Sequence, residues 1–286
     1  MDDQKAENPI ESEIAANDAT ATAEDSPAKS ISIFLRLIAA TAFLTRLPMP
    51  RGLRFGAADV GRSTVFFPLV GALIGVLQAV AYLFFQTAAR DDVWRSSLTA
   101  ILLVAVGVFA TGALHLDGLA DMADGFGGGR DKESALKIMR DSVIGSYGAI
   151  ALILLLLLKT TAIAALTFEF KLTAFLILAP ALGRWTTVWL GKFMPYARKT
   201  GGLGKSITDF VGWTELVGAS VIAAALSFGL LEWRQVFAVW VVIAALTAFN
   251  AYLCRGKIGG ITGDTLGANT EICETAVFVT AVFLKL

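Results

Sequence analysis

The sequence predicts an all-α protein, a polytopic membrane helical bundle of about seven spanning helices with an N-terminal interfacial or spanning helix. Of the 286 residues, 56% are hydrophobic and 17% are charged, whereas soluble domains have about 45–50% apolar and about 25% charged residues. The mean hydropathy of +0.67 agrees with this composition. Long uncharged stretches such as 149–158 and 217–231 also recur, as expected of membrane-spanning helices. The composition therefore excludes a soluble enzyme.

The first 29 residues differ in composition from the rest of the chain. They are rich in Ala, Ser, Thr and acids and carry a net charge of −6, which the remaining residues balance with +6. Such a segment buries too little apolar surface to fold. The sequence therefore predicts a disordered acidic tail at 1–29 and one integral membrane domain at 30–286. The charge balance and the lack of a basic block exclude a nucleic-acid-binding protein.

Eight apolar segments follow the tail in order. The first, 31–47, is short and contains Arg36 and Arg46, so it either spans the membrane or lies flat in the interface as an amphipathic helix. Gly71 and Gly75 in the next segment are typical of a closely packed helix face. The predicted spanning segments are 63–85, 96–116, 143–167, 172–191, 215–231, 235–254 and 270–285.

Basic residues are divided unevenly between the two sets of loops. Fourteen Lys and Arg residues lie in one set, and four lie in the loops of the opposite side. Because basic residues favour the cytoplasmic side, we expect the first set there. Its members also contain the unusual polar residues, and they are loops 46–62, 117–142, 192–214 and 255–269.

The most informative feature is a row of three aspartates. Asp117, Asp121 and Asp124 are spaced i, i+4 and i+7, which places them on one face of a helix. Their like charges repel unless a cation lies between them, and Mg²⁺ is commonly held by one or two carboxylates together with substrate phosphates. The row therefore predicts a magnesium site. The alternative is an acidic helix end exposed to water.

Glycines and polar residues surround this row. The glycine-rich turn 125–129 can approach a phosphate closely, and Arg130 and Arg140 can clamp phosphate oxygens. His115 is the single histidine of the chain and is either an acid, a base or a ligand, or a buried hydrogen-bonding residue. Asp141 either caps the following helix or binds a ligand.

Further charged residues lie in the second half of the chain. Arg184 is inside a predicted span, where an arginine normally faces the bundle interior and pairs with another group. Arg198 belongs to a glycine-rich basic loop, 195–205, suited to an anionic ligand. A second acidic group combines Asp264, in the turn before the last span, with Glu271 and Glu274 on one face of that span.

The two glutamates allow two interpretations. They are either functional acids at the membrane or helix N-terminal acids favoured by the helix dipole. Together, two acidic groups and three basic, glycine-containing loops at one face of a helical bundle favour metal-assisted transfer of a phosphate-linked group. In such a reaction a cation and basic residues neutralise a diphosphate, and a carboxylate orients or deprotonates a hydroxyl.

Five motifs follow one another along the membrane domain. They are FLTRLPMP at 43–50, HLDGLADMADG at 115–125, IMRDS at 138–142 with Ile144 and Gly145, Ala197 and Arg198 with GLG at 202–204, and GG at 259–260 with TGD at 262–264, Gly267, Glu271 and Glu274. By these motifs the sequence resembles the cobalamin synthase family, the adenosylcobinamide-GDP ribazoletransferases, over about residues 31–286. Val143 departs from the family, which often has a basic residue there.

The resemblance implies the late joining step of coenzyme B12 biosynthesis. Adenosylcobinamide-GDP and α-ribazole, or α-ribazole 5′-phosphate, give adenosylcobalamin, or its 5′-phosphate, and GMP. It implies Mg²⁺ as cofactor, the bacterial cytoplasmic (inner) membrane as location, and an active site facing the cytoplasm. The lipid bilayer is then a partner, nucleic acid is not, and an oligomer is compatible with the sequence.

The resemblance also implies roles for individual residues. Asp117, Asp121 and Asp124 would hold the metal on the diphosphate, and Asp264 would join them or position the ribazole hydroxyl. These four are the candidate catalytic residues. The candidate substrate-binding residues are His115, Arg130, Arg140, Asp141, Arg184, Arg198, Thr262, Glu271 and Glu274.

Two other functions remain open on the sequence. A CDP-alcohol phosphatidyltransferase-like enzyme also uses clustered aspartates and a metal, but its Ala-Arg and following Gly are missing from 117–130. An ion-coupled transporter would use Asp117, Asp121 and Glu271 as cation sites. Against it, the acids cluster at one face, and no inverted repeat is apparent in the hydropathy pattern.

Overall fold

The computed structural model describes residues 32–50, 52–87, 93–167, 171–199 and 201–284. Within these ranges the regular structure is helical, and the residues pair in β fashion only as an isolated bridge between Tyr196 and Ile261. The predicted all-α fold is confirmed. The predicted acidic tail, 1–29, lies outside the described residues.

The helices are numbered here in chain order. A 3₁₀ turn, Thr64–Phe66, joins the second helix to the third. The helices are α1 (Ile33–Leu44), α2 (Ala57–Ser63), α3 (Phe67–Thr87), α4 (Val93–Thr111), α5 (Leu114–Gly128), α6 (Lys132–Ile138), α7 (Ser146–Leu166), α8 (Leu172–Phe193), α9 (Leu203–Phe210), α10 (Trp213–Leu230), α11 (Trp233–Ile258) and α12 (Gly263–Phe283).

Six helical segments in the described ranges are long and apolar enough to cross a membrane. Large apolar side chains on their outer surfaces, such as Phe84, Phe109 and Phe237, are each more than two-thirds exposed, as expected of residues that face lipid. The protein is therefore a multi-pass membrane protein. The six segments are Ala57–Phe85, Trp94–Thr111, Ser146–Leu166, Leu172–Phe193, Trp213–Leu230 and Trp233–Ile258.

The seventh predicted span, 270–285, belongs to helix α12, which is mostly buried among other helices. It begins at Gly263 rather than at 270, so Asp264 lies in its first turn and not in a turn before it. Thr262 sets this start, because its hydroxyl accepts the amide N–H of Thr265 at 3.3 Å. Helix α12 packs against α5, α7, α8 and α11 and is mostly buried. Surrounded by protein, it can contain acids that lipid would disfavour.

The first apolar segment is a short helix. Helix α1 has 12 residues and is about 18 Å long at the usual helical rise, which is less than the roughly 30 Å core of a bilayer. It packs against α2 and α3. Of the two alternatives for 31–47, this length favours the interfacial helix.

The predicted span 96–116 is interrupted, which creates the helix that carries the aspartates. Helix α4 ends at Thr111, and the left-handed residues Gly112 (φ +63°) and Ala113 (φ +61°) turn the chain into α5. Helix α5 lies between α7 and α12. A Cβ atom at Gly118 would lie 2.7 Å from the carbonyl oxygen of Asp264, so glycine is what lets the two backbones approach.

The predicted close packing at Gly71 and Gly75 is confirmed. Both glycines of α3 lie against the backbone of α8, near Pro180 and Leu176 respectively, with no space for a side chain. This contact fixes α8, and with it Arg184, in the centre of the bundle.

Candidate active site

A cavity of about 260 Å³, called the enclosed cavity here because it is less open than the cleft on the opposite side, lies on one side of α5. Its polar lining comes from α5, from the loop after α8 and from the start of α12, and includes His115, Asp117, Tyr196, Arg198 and Asp264. Phe43 and Phe67 form its apolar wall, with their rings stacked at 5.8 Å between centroids. The cavity therefore combines an aromatic surface with two carboxylates and a guanidinium.

A larger open cleft of about 510 Å³ lies on the other side of α5. Its polar residues are Asp117, Asp121, Arg140, Asp141 and Ser142, and α7 supplies an apolar wall. Asp117 lines both the cleft and the enclosed cavity. Molecules bound in the two spaces would therefore meet at this carboxylate.

Negative charge accumulates at Asp121. Burial raises the pKa of this half-buried carboxyl from 3.8 to about 7, and the neighbouring carboxylates of Asp117 and Asp264 raise it further, against the opposite effect of Arg198. A site that makes a carboxylate this reluctant to ionise is one that a cation would stabilise.

Asp124 has partners within the protein. Its two carboxylate oxygens accept the amide N–H groups of Gly145 at 2.7 Å and Gly148 at 2.8 Å, at the start of α7. Among the described residues, no group of three His, Cys, Asp or Glu side chains is arranged to hold a metal ion. The site thus offers Asp117 and Asp121 as a carboxylate pair, while metal binding by Asp124 stays a prediction.

The carboxylates of the site fit one common mode of Mg²⁺ binding. Mg²⁺ in transfer enzymes is usually held by one or two carboxylates plus substrate phosphates and waters, rather than by a cage made only of protein ligands. Asp117 and Asp121 border the cleft together and are one helical turn apart on α5, so they can supply such a pair.

Asp264 is held in place by Arg198. The guanidinium donates from Nη2 to Asp264 Oδ2 at 2.7 Å, and the Thr262 hydroxyl donates to the same oxygen at 3.2 Å. A backbone pairing positions Arg198, because Ala197 N–H donates to the Ile261 carbonyl at 2.8 Å. Arg198 Nε is buried without a hydrogen-bond partner in the described part of the chain, so a ligand acceptor would satisfy it.

Arg140 and Asp141 line the cleft, but Arg130 lines neither space. Arg130 is exposed between α5 and α6. Of the two alternatives for Asp141, the structure excludes the helix cap, because α7 begins at Ser146 and Asp124 accepts the amides at its start, while ligand binding stays a prediction. Asp141 instead accepts the amide N–H of Val143 at 3.1 Å in a local turn.

The buried glutamates of α12 form an ion network. Lys159 of α7 donates to Glu271 at 3.0 Å and to Glu274 at 2.7 Å, and Arg184 of α8 donates to Glu274 at 3.0 Å. The predicted pairing of Arg184 is confirmed. These groups line a space of about 10 Å³ and neither of the two larger ones. Their charges are matched internally, and the predicted substrate-binding role of Arg184, Glu271 and Glu274 stays a prediction.

Thr262 and His115 complete the predicted set. Thr262 is buried and caps α12, and it contacts Asp264 without lining the cavity. His115 is 5% exposed, lines the enclosed cavity, and has its Nδ1 atom 3.5 Å from Arg184 Nη2. It therefore joins the ion network to the cavity.

The chain matches a known family over almost its whole membrane domain. The family model described as cobalamin-5-phosphate synthase matches residues 36–282. The chain belongs to this family. Curated relatives named adenosylcobinamide-GDP ribazoletransferase include those of Rhizobium meliloti, 41% identical over 82% of this chain and 91% of the relative, and Chlorobaculum parvum, 39% identical over 87% and 96%. No solved structure matches.

Membership of the cobalamin-5-phosphate synthase family agrees with the arrangement of the site. The match covers α5, both spaces beside Asp117 and the start of α12, and excludes the acidic tail. A transferase of this family needs room for two substrates, which a transporter site would not require. The family also displaces the CDP-alcohol phosphatidyltransferase interpretation.

Two residues of this family member were missed in the sequence. Tyr196 lines the cavity, and its position before Arg198 in the glycine-rich loop was the available signal. Lys159 neutralises two glutamates, and its signal was a single charge at the end of the apolar run 149–158. A lone charge within a predicted span indicates a buried partner.

Proposed function

We propose that this protein joins adenosylcobinamide-GDP to α-ribazole or α-ribazole 5′-phosphate, giving adenosylcobalamin or its 5′-phosphate and GMP. The observation that carries the proposal is the position of Asp117, which lines both an enclosed cavity and an open cleft. Two substrates bound in separate spaces would bring their reacting groups together at this residue. Family membership supplies the identity of the substrates.

The two spaces differ in a way that assigns one substrate to each. The enclosed cavity has stacked aromatic rings and a volume of about 260 Å³, which suits the planar base and ribose of α-ribazole. The cleft of about 510 Å³ is open and contains Arg140, which suits the diphosphate of the much larger corrinoid substrate.

The reaction is a phosphoryl-type substitution. A ribazole hydroxyl oxygen forms a bond to the phosphorus that carries the cobinamide side, and the anhydride bond to GMP breaks with its electron pair leaving on GMP. The hydroxyl proton passes to a carboxylate at the junction, where Asp117 and Asp264 both border the cavity. Arg198 holds Asp264 in a fixed orientation at 2.7 Å, which lowers the reorganisation needed at the moment of transfer.

Mg²⁺ is the proposed cofactor. When bound by Asp117 and Asp121, it would neutralise charge on the diphosphate. The raised pKa of Asp121 supports this assignment, because burial and the neighbouring carboxylate of Asp117 disfavour its charged form, which a bound cation would favour. Asp124 holds the start of α7 against α5 through Gly145 and Gly148, and so keeps the wall of the cleft next to this pair.

The proposed location is the bacterial inner membrane, with the site facing the cytoplasm. The site is formed by α5, the loops that follow α6 and α8, and the start of α12, and the surrounding loops contain most of the basic residues. The positive-inside rule supports the cytoplasmic orientation. Cysteine accessibility in intact cells, with a cysteine at exposed Glu133, would test it.

Product analysis tests the proposed reaction. Full-length protein purified in detergent is incubated with adenosylcobinamide-GDP, α-ribazole 5′-phosphate and Mg²⁺, and GMP and the corrinoid product are separated by chromatography. We expect both products in equal amounts, and neither in the presence of EDTA. Failure to form GMP with folded protein would overturn the proposed reaction. Full activity with EDTA would overturn the assignment of Mg²⁺ as cofactor.

A further inference from the structure

His115 has a hydrogen bond that determines where its proton lies. Nδ1 is 3.5 Å from Arg184 Nη2, and the two residues are 5% and 2% exposed. A guanidinium has only N–H donors and keeps its proton in proteins. Nδ1 must therefore accept, and it carries no hydrogen. A protonated Nδ1 would direct one N–H at another beside a positive charge.

Arg184 is itself held from several sides. Its Nη1 atom donates to the Pro180 carbonyl at 3.0 Å and to Glu274 at 3.0 Å. Glu274 is fixed in turn by Lys159 at 2.7 Å, which also binds Glu271. The guanidinium is therefore oriented by α7, α8 and α12 together, and it cannot turn away from His115 without leaving a buried charge unpaired.

The other ring nitrogen of His115 is available to a ligand. Among the described residues, Nδ1 is hydrogen-bonded to Arg184 and Nε2 has no hydrogen-bond partner, and His115 lines the enclosed cavity. A neutral imidazole with an unprotonated Nδ1 carries its hydrogen on Nε2. The ring thus has one N–H donor left for a molecule in the cavity that Asp117 also lines.

We propose that His115 is a neutral hydrogen-bond donor, fixed in orientation, to the molecule in this cavity. Its imidazole ring is positioned by the ion network of Lys159, Glu271, Glu274 and Arg184. The naming of that molecule as α-ribazole rests on the proposed function, whereas the tautomer does not. His115 then cannot take the proton of the attacking hydroxyl, because Nε2 already has a hydrogen and Nδ1 faces Arg184. The general base is left to the carboxylates.

The single histidine makes a direct test possible. Full-length protein labelled with ¹⁵N-histidine is reconstituted in lipid nanodiscs, and its imidazole nitrogens give one pair of NMR signals without assignment. We expect a protonated Nε2 and an unprotonated Nδ1 at neutral pH. The opposite tautomer, or an imidazolium, would overturn the proposal. On addition of α-ribazole the Nε2 signal should shift more than the Nδ1 signal, and an unchanged Nε2 signal at saturation would overturn the donor role.

Variants separate a donor from a general base. His115→Gln keeps an N–H donor, whereas His115→Glu has similar size and accepts only. For a donor we expect His115→Gln to raise the KM for α-ribazole by less than about tenfold with a smaller change in kcat, and His115→Glu to raise that KM by roughly tenfold more. For a base, His115→Gln would lose about 10²–10⁴ in kcat, which would contradict the proposal. The NMR result does not require turnover, so it stands apart from a failure of the proposed reaction.

Discussion

The carboxylate of Asp124 caps a helix that begins about 20 residues later, with its Oδ1 atom accepting the amide N–H of Gly148 at 2.8 Å. The second oxygen accepts the amide of Gly145 at 2.7 Å. One side chain of α5 thus satisfies two of the amides that the start of α7 leaves without helical partners. The contact fixes the two helices that border the cleft.

We expect Gly148→Ala to destabilise the protein. A Cβ atom there would overlap the Asp124 carboxylate, so the capping bonds would lengthen or break, at a cost of about 0.5–2 kcal/mol for a lost cap. Thermal unfolding in detergent measures the effect. Gly229→Ala in α10 is the matched control, because its Cβ would meet no atom within 4 Å. Equal melting temperatures for the two variants would contradict the capping role.

Removal of the charge of Asp121 should abolish turnover. In Asp121→Asn the carboxylate pair proposed for Mg²⁺ loses one member, while the half-buried position keeps its shape. We expect a loss of at least about 10²-fold in kcat, since electrostatic stabilisation of the reacting phosphate is usually a large contribution. The assay is GMP release, with Glu133→Gln as a control acid exposed on α6. Full activity of Asp121→Asn would refute the metal assignment.

Mg²⁺ affinity should fall as the pH is lowered. The pKa of Asp121 without the cation is about 7, so below this pH the carboxyl is mostly protonated, and its proton must leave before Mg²⁺ binds. For one proton the apparent affinity falls by up to about tenfold per pH unit below 7, and it levels off above about pH 8. Calorimetric titration with Mg²⁺ at pH 6, 7 and 8 measures this. The same affinity at all three values would show that Asp121 is not the competing group.

Loss of Lys159 should unfold the bundle more readily than loss of an exposed lysine. In Lys159→Met, Arg184 is the remaining cation of the network that contains Glu271 and Glu274, so one buried negative charge is not neutralised. Breaking a buried ion pair in this way lowers the free energy of unfolding by about 3–5 kcal/mol. Lys171→Met removes an ion pair of similar length, 2.9 Å to Glu232, at an exposed position and should change the melting temperature little. A similar shift for both variants would argue against a structural network.

Each space beside Asp117 should affect the KM of one substrate. Phe43→Trp narrows the enclosed cavity and should raise the KM for α-ribazole, with little effect on adenosylcobinamide-GDP. Ile144→Trp at the rim of the cleft should do the reverse. Steady-state kinetics with each substrate varied in turn gives the four values. If both variants raise the KM for the same substrate, the assignment of substrates to the two spaces is wrong.

Local spacing was enough to predict part of this site. The i, i+4 spacing of Asp117 and Asp121 predicted a shared helical face, and both residues border the cleft. A charged side chain in a membrane span is energetically costly, and this predicted an ionic partner for Arg184. The structure provides Glu274 as that partner. These predictions succeeded because each depends only on the residues of one helix and on whether water, lipid or protein surrounds that helix.

Other features depend on contacts between distant parts of the chain. Lys159 meets Glu271 across 112 residues, and no local pattern indicates which helix of the bundle supplies the partner. The capping of α7 by Asp124 depends on the packing of α5 against α7, and the sequence offered only the neighbouring Asp141 as a possible cap. The sequence prediction placed the start of α12 too late, because it relied on apolar content. The helix can include Asp264 because it is surrounded by protein.

The buried position of α12 has a consequence for how the protein is made. The helices that contain Lys159 and Arg184 are synthesised about 90–115 residues before Glu271 and Glu274, so the growing chain enters the bilayer with two unmatched positive charges. Helix α12 is itself too polar to count among the six apolar spans. Its docking then neutralises the earlier helices while they shield its own acids from lipid, so a nascent chain that stops before α12 keeps Lys159 and Arg184 without these partners.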